Sequence, residues 1–316
     1  MSTQTHVIFG AGQIGTPLAL LLQSQGHHVR LVRRRGPAPA GIDLQLGDAR
    51  DAAFASRAAH GAHTVYHCMN PAYSTKAWAR DLPRMMHGVM DAAAQEGARL
   101  VVLDNLYMLG ALRIRPFHEG SPLTPCSHKG EIRAHVSEML QDSMRRGVLR
   151  ACIARASDFY GPGATQSHLG DAFWPSLLKG GKARLLVNPE PEHTYHYTLD
   201  VVRALMLLGT ANDEVEGRVW MLPCAEAEST RALIGRIGRV LGRDVEIERV
   251  SDWMQSVIGV FVPAVREVRE MRYQWEAPFL VDDRQFRARF AFTPTSLAAG
   301  AQATVDWAKA HYGKGR

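Results

Sequence analysis

The first 160 residues alternate short apolar runs with longer stretches of helical periodicity. THVIFG (5–10), HVRLVR (28–33), IDLQLGD (42–48), HTVYHC (63–68), RLVVLD (99–104) and VLRACIAR (148–155) read as strands. GQIGTPLALLLQSQG (12–26) reads as a helix closed by Gly26. KGEIRAHVSEMLQDSMRRG (129–147) reads as an amphipathic helix ending in arginines and a glycine, as helix C-termini prefer. Strands alternating with helices of this length predict right-handed βαβ units and an α/β fold, a doubly wound parallel sheet covered on both faces. Beyond about residue 160 the pattern loosens into glycines, prolines and aromatics such as GPGATQSHLGDAFWPS. Residues 1–160 are therefore expected to form one domain, and residues 161–316 a smaller C-terminal lobe interleaved with the last elements of the sheet.

Between the first strand and the first helix stands GAGQIG (10–15), a G-x-G-x-x-G. In that context the motif points to a dinucleotide and makes the domain Rossmann-type. Gly10 allows the tight turn, Gly12 lets the backbone approach a pyrophosphate, and Gly15 lets the helix close on the sheet. Gln13 and Ile14 complete the loop, whose helix N-terminus offers unpaired N–H groups to the phosphates. The second strand ends at Arg33, followed by Arg34 and Arg35, where an NAD site would carry an acid for the ribose hydroxyls. An arginine fork suits a 2′-phosphate, so NADP(H) is expected ahead of NAD, the other reading being a solvated basic turn. In GDARD (47–51), Asp48 is either an acceptor for the adenine amino group or a plain turn aspartate.

Composition changes this picture little. The 316 residues are 46% hydrophobic and 22% charged, the profile of a globular protein. Net charge is +6, but the arginines are scattered and only 33–35 cluster, too short a run for a nucleic-acid stripe. No C-x-x-C pair joins the four cysteines, so buried or idle thiols are expected rather than disulfides. Fourteen histidines show no H-x-x-x-H or H-E-x-x-H spacing on a helix, and no metal is expected; His27, His28, His193 and His196 stand at strand ends and read as solvated. No run nears the roughly 18 apolar residues of a spanning helix. With no secretory signal at the start, a cytoplasmic protein with a small-molecule substrate and no nucleic-acid or membrane partner is expected.

Several stretches together resemble the extended short-chain dehydrogenase/reductases, and within them the NAD-dependent epimerase/dehydratase group. They are GAGQIG, GDARD, VYHCMNPAY (65–73), VVLDNLYMLG (101–110), the helix of Lys129, RASDFYGPG (155–163) and HTYHYTLDVVRAL (193–205). RASDFYGPG is the most specific, being similar to an Arg-x-x-Asn-x-Tyr-Gly-Pro segment of that family. The resemblance implies a Ser or Thr after the fifth strand and a Tyr-x-x-x-Lys pair that handle the proton accompanying hydride transfer. Its lysine binds the nicotinamide ribose and lowers the tyrosine pKa. It also implies a possible homodimer.

Lys129 matches that lysine, but four residues before it stands Pro125, and the serine position holds Asn105 beside Asp104. Proline has no side-chain proton to give, and an amide is no base. Tyr107 and Tyr73 are the candidates to supply a phenol instead; each also reads as a packing aromatic, under its loop or over the cofactor. Asn70 reads as a cap or Asx turn, Ser127 as an N-cap or a catalytic hydroxyl, and Asp158 as orienting the substrate loop or as a turn residue. Phe173, Trp174, Tyr195, Tyr197, His168 and His193 either line a pocket or pack in a core. Two functions follow. One is an NAD(P)-binding oxidoreductase or epimerase-like enzyme with an altered triad of Asn105, Lys129 and a displaced phenol. The other is a non-catalytic dinucleotide-binding sensor or regulatory protein.

Overall fold

A computed structural model of the chain describes residues 3–111 and 116–313. Its sheet holds β1 (Thr5–Phe9), β2 (His28–Arg33), β3 (Asp43–Leu46), β4 (Thr64–His67), β5 (Arg99–Asp104), β6 (Ala151–Arg155) and a last strand, Val219–Met221. From edge to edge the order is Val219–Met221, β6, β5, β4, β1, β2, β3, and every pair is parallel. The expected α/β fold with a Rossmann-type doubly wound sheet is the fold observed. Val7, Ile8, Phe9, Val65, Tyr66, Leu100, Val101 and Cys152 are all fully buried, because a parallel strand covered on both faces needs a continuous apolar run.

The crossovers are α1 (Gly15–Ser24), α2 (Ala52–Ala59), α3 (Thr75–Gln95) and α4 (His128–Arg145). α2 starts where the Asp51 carboxylate accepts from the N–H groups of Ala53 and Phe54, and α3 where Ser74 Oγ accepts from Ala77. α3 carries Pro83 in its interior and packs Trp78, Leu82, Met86 and Val89 into the core. At the opposite end of β5, buried Arg99 pairs with Asp213 and Glu216 and donates to the carbonyls of Leu208 and Ala211, which fixes the segment leading into the last strand.

The chain divides into two compact units, each discontinuous in sequence. The first comprises Met1–Met108, His128–Ala156 and Val201–Leu222; the second comprises Leu109–Ser127, Ser157–Asp200 and Pro223–Arg316. Small two-stranded sheets build the second unit: Asp158–Tyr160 with Tyr195–Tyr197, Ala183–Leu185 with Ile247–Arg249, and Glu192–His193 with Glu228–Ser229. Its core gathers Tyr160, Trp174, Ile234, Leu297 and Val305.

His27, His193 and His196 are buried, not solvated as their strand-end positions suggested: the His193 ring packs among Tyr195, Trp275 and Phe279, and His196 Nδ1 accepts from the Ser157 N–H. All four cysteines are free. Among the described residues no helix is long and apolar enough to cross a membrane, and no group of His, Cys, Asp and Glu has the geometry of a metal site.

Candidate active site

β1 is flanked by β2 on one side and β4 on the other, so the direction of winding reverses there and a crevice opens at the carboxyl ends of β1 and β4. The glycines of residues 10–15 sit at this point. Gly10 has φ +110°, and a Cβ on it would lie 2.5 Å from the Cys68 carbonyl at the end of β4. A Cβ on Gly15 would lie 1.8 Å from the Gly10 carbonyl oxygen, so the helix closes on the turn only without one. Gly12 differs: a Cβ there would meet nothing within 4 Å. The N-terminus of α1 has no side-chain cap and no acid in its first turn. An open glycine face next to an uncapped ten-residue helix suits a phosphate. Burial pushes the neighbouring Cys68 thiol up to about 12, which keeps it protonated and unreactive.

The loops after β4 and β5 converge on α4. Tyr73 leaves the β4 loop and Tyr107 opens a 3-10 turn, Tyr107–Leu109, just after β5. Their phenol oxygens are 3.4 Å apart. Trp78, in the first turns of α3, stacks on Tyr107 (centroids 5.8 Å apart, 14° between planes) and meets Tyr73 edge-on. Lys129 has no exposed surface; its Nζ donates to Thr75 Oγ1 at 3.1 Å and lies 5.1 Å from the centre of the Tyr73 ring. Tyr107 therefore packs beneath its loop and also carries its hydroxyl to a second phenol.

Asn105 sits inside a short relay. The Asp104 carboxylate accepts from the Asn105 N–H at 2.9 Å, and the Asn105 side-chain oxygen accepts from the Tyr107 N–H at 3.1 Å. Its carbonyl oxygen is engaged in the turn, and its amide NH2 can donate to a ligand. Asn70 forms no Asx turn; its Oδ1 accepts from Arg133, a residue not singled out from the sequence. Arg133 also donates to Asp104 at 3.0 Å, and Arg155 donates to Ser137. Lys129, Arg133 and Ser137 recur every four residues along the buried side of α4. That spacing was the available signal, masked because charged residues on an amphipathic helix ordinarily face water.

At the other end of the crevice, Arg33 donates to the Pro37 carbonyl and lies against Gly36, closing its own turn, while Arg34 and Arg35 are exposed. Both oxygens of Asp48 engage Arg50, whose hydrogen bonds hold the Asp48 carboxyl below its ordinary range. In the second unit, Asp158 pairs with His193 at 2.9 Å, and the His193 ring stacks on both Trp275 and Phe279. Phe173, Trp174, Tyr195 and Tyr197 belong to the core of that unit, and His168 reaches the Tyr195 hydroxyl at 3.2 Å.

Comparison with known proteins gives one family. Residues 7–222 match the model of the NAD dependent epimerase/dehydratase family. The chain belongs to that family. Comparison with curated protein sequences gave no match. Among solved structures, the dTDP-glucose 4,6-dehydratase DesIV of Streptomyces venezuelae, with NAD bound, shares 19% identity over 98% of both chains, with a TM-score of 0.80. The UDP-glucuronic acid 4-epimerase of Bacillus cereus in complex with NAD shares 15% over 98% of this chain and 99% of its own, with a TM-score of 0.79. The UDP-glucose 4-epimerase of Thermotoga maritima with UDP-glucose shares 17% over 96% and 98%, with a TM-score of 0.77. At these identities the likeness is one of fold.

Proposed function

We propose that the chain is an oxidoreductase or epimerase-like enzyme that binds NADP(H) on residues 10–15 and acts on a hydroxyl or carbonyl carbon of a small-molecule substrate, using an altered proton-handling set. One observation carries the reading: two phenols, Tyr73 and Tyr107, lie oxygen to oxygen at 3.4 Å, with the Lys129 ammonium over the ring of the first. Lys129 stands where the resemblance puts the family's lysine, and the Tyr73 ring lies against it although the residue four before it is Pro125.

When bound, the dinucleotide supplies or takes up the hydride. Gly10, Gly12, Gln13, Ile14 and Gly15 would hold its phosphates, and Lys129 would orient the nicotinamide ribose. In the reducing direction Tyr107 gives its proton to the substrate oxygen and is refilled from Tyr73, which is 41% exposed and exchanges with water. The nearby ammonium favours the phenolate that forms. The Asn105 amide donates to the same substrate oxygen.

The finer choice of NADP(H) rests on the end of β2, where no acid is present to accept from a ribose diol and Arg34 and Arg35 are free to meet a 2′-phosphate. The three solved structures compared above bear NAD or a sugar nucleotide in their own sites, so the choice needs its own test. Calorimetric titration of the purified protein with NADPH and then NADH at matched salt provides it. Selective NADPH binding is expected. Binding of NADH alone overturns the cofactor choice, and binding of neither overturns the function.

A second reading, a non-catalytic dinucleotide-binding sensor, is favoured by the depth of Lys129, which has no exposed surface. Saturable binding with no oxidation of NADPH across a panel of aldehydes, ketones and keto sugars would select it.

A further inference from the structure

We infer that Arg133 is the positioning residue of this site, a single guanidinium that sets the phenol pair by tying together the segments that carry it. The inference rests on the reading of Tyr73 and Tyr107 as the working phenols. Arg133 lies one helical turn beyond Lys129 on the same side of α4 and is 2% exposed.

Each edge of its fork takes a different partner. Nη1 donates to Asp104 Oδ1 at 3.0 Å, at the end of β5, and Nη2 donates to Asn70 Oδ1, in the loop after β4. The guanidinium lies over the Trp78 ring, with Cζ 4.8 Å from its centroid. Three segments that are separate in sequence thus meet on one side chain.

Two routes lead from Arg133 to Tyr107. The first runs through hydrogen bonds: the Asp104 oxygen that accepts from Arg133 also accepts from the Asn105 N–H, and Asn105 in turn holds the Tyr107 N–H. The second runs through ring contacts, the Arg133 cation over Trp78 and Trp78 stacked on Tyr107. Tyr73 is reached from both sides as well. Asn70 anchors its loop, and Trp78 packs edge-on against its ring at 5.9 Å.

A lysine in this position keeps the charge but loses the arrangement. An ammonium is a point charge on a flexible stem, and it cannot hold two acceptors in one plane while stacking on an indole. Charge and geometry are therefore separable by substitution. The positive charge alone lowers a nearby phenol's pKa, and the fork alone fixes how near that phenol stands.

The test is a pH titration of phenolate absorbance in the full-length protein without dinucleotide, with the Tyr107 transition assigned as the part lost in Tyr107→Phe. In Arg133→Lys the Tyr107 transition is expected to rise by about one pH unit, although the charge is retained. Asn70→Ala removes one anchor from an exposed loop residue and is expected to raise it by a smaller amount, with the thermal midpoint little changed. A Tyr107 transition at the wild-type pH in the folded variants overturns the inference. If Arg133→Lys does not fold, Asn70→Ala alone decides. No dinucleotide takes part, so failure here leaves the NADPH titration to judge the proposed function, and failure of that titration leaves this result standing.

Discussion

Tyr73 and Tyr107 follow two different strands, β4 and β5, and their hydroxyl oxygens meet at 3.4 Å. Neither occupies the place of a tyrosine four residues before Lys129, yet one lies under the lysine's Nζ and the other stacks on the tryptophan that both share. The helix keeps the cation and the loops supply the phenols.

This arrangement makes Tyr107→Phe the most informative substitution. Removing only the hydroxyl leaves the stack on Trp78 intact, so the fold and the dinucleotide affinity should hold within about threefold. Proton transfer by a placed side chain is worth on the order of 100-fold or more, and turnover of any substrate that consumes NADPH should fall by at least that factor. Single-turnover absorbance of the nicotinamide measures it. Tyr73→Phe should cost less, because water can refill Tyr107 directly. Full turnover in Tyr107→Phe removes that residue from the mechanism.

The glycines of residues 10–15 separate ligand binding from folding. In Gly15→Ala the new methyl falls 1.8 Å from a backbone oxygen that has no room to retreat, since Gly10 is itself wedged against Cys68. Stability should drop by about 1–3 kcal/mol in urea melts, as overpacked sites do. In Gly12→Ala the methyl meets nothing, so the urea midpoint should stay in place. NADPH affinity should nonetheless fall at least tenfold by calorimetry, because the methyl takes the space a pyrophosphate needs. Unchanged affinity in Gly12→Ala would place the phosphates elsewhere.

How much of this was legible in the sequence depends on which physical signal each part leaves. Parallel strands buried on both faces must be apolar runs, and β1, β2 and β5 stand where VIF, HVRLVR and RLVVLD place them. α3 was not read, because Pro83 interrupts the pattern that its buried Trp78, Leu82, Met86 and Val89 otherwise follow. Of the site, Lys129, Asn105, Tyr73 and Tyr107 were singled out from the chain alone. Arg133 and Trp78 were not. A buried arginine is recognisable only once its carboxylate and amide partners are seen to converge, and those partners lie 29 and 63 residues away. Arg33 shows the converse: its position was legible, but the carbonyl it holds four residues on was not.

Three histidines set an acid limit on stability. Burial lowers His6 to about 3 and His67 and His168 to about 4, helped by His27 and His63 around His6, by Arg133 near His67, and by His193 near His168, where Asp158 opposes it. Each folded value lies below the ordinary 6.5, so between about pH 6.5 and 4 the unfolded chain binds protons that the folded chain does not. Stability should therefore be fully present above that window and fall as the pH is lowered through it. Both ring nitrogens of His67 are buried without a hydrogen-bond partner, so His67→Leu removes one titrating group and two stranded polar atoms together. Its urea midpoint, relative to wild type, should be higher at about pH 5 than at about pH 7.5. An identical pH dependence in the two proteins would show that His67 does not titrate in this way.

The arginines at the end of β2 divide into a structural one and two exposed ones, and substitution should split them the same way. Arg33 donates to the Pro37 carbonyl and lies against Gly36, so Arg33→Ala should loosen that turn and cost about 1 kcal/mol, the value of one hydrogen bond. NADPH and NADH affinities should then fall together, because the turn borders both. Arg34 is exposed and near enough to Asp48 to lower its carboxyl. In Arg34→Asp a 2′-phosphate meets a carboxylate in place of a guanidinium, so NADPH affinity should drop at least tenfold while NADH affinity holds or rises, with the thermal midpoint unchanged. Titration of both dinucleotides into the two variants reads the difference. A selective loss of NADPH in Arg33→Ala, with none in Arg34→Asp, would mean that Arg33 leaves the Pro37 carbonyl to take the phosphate itself.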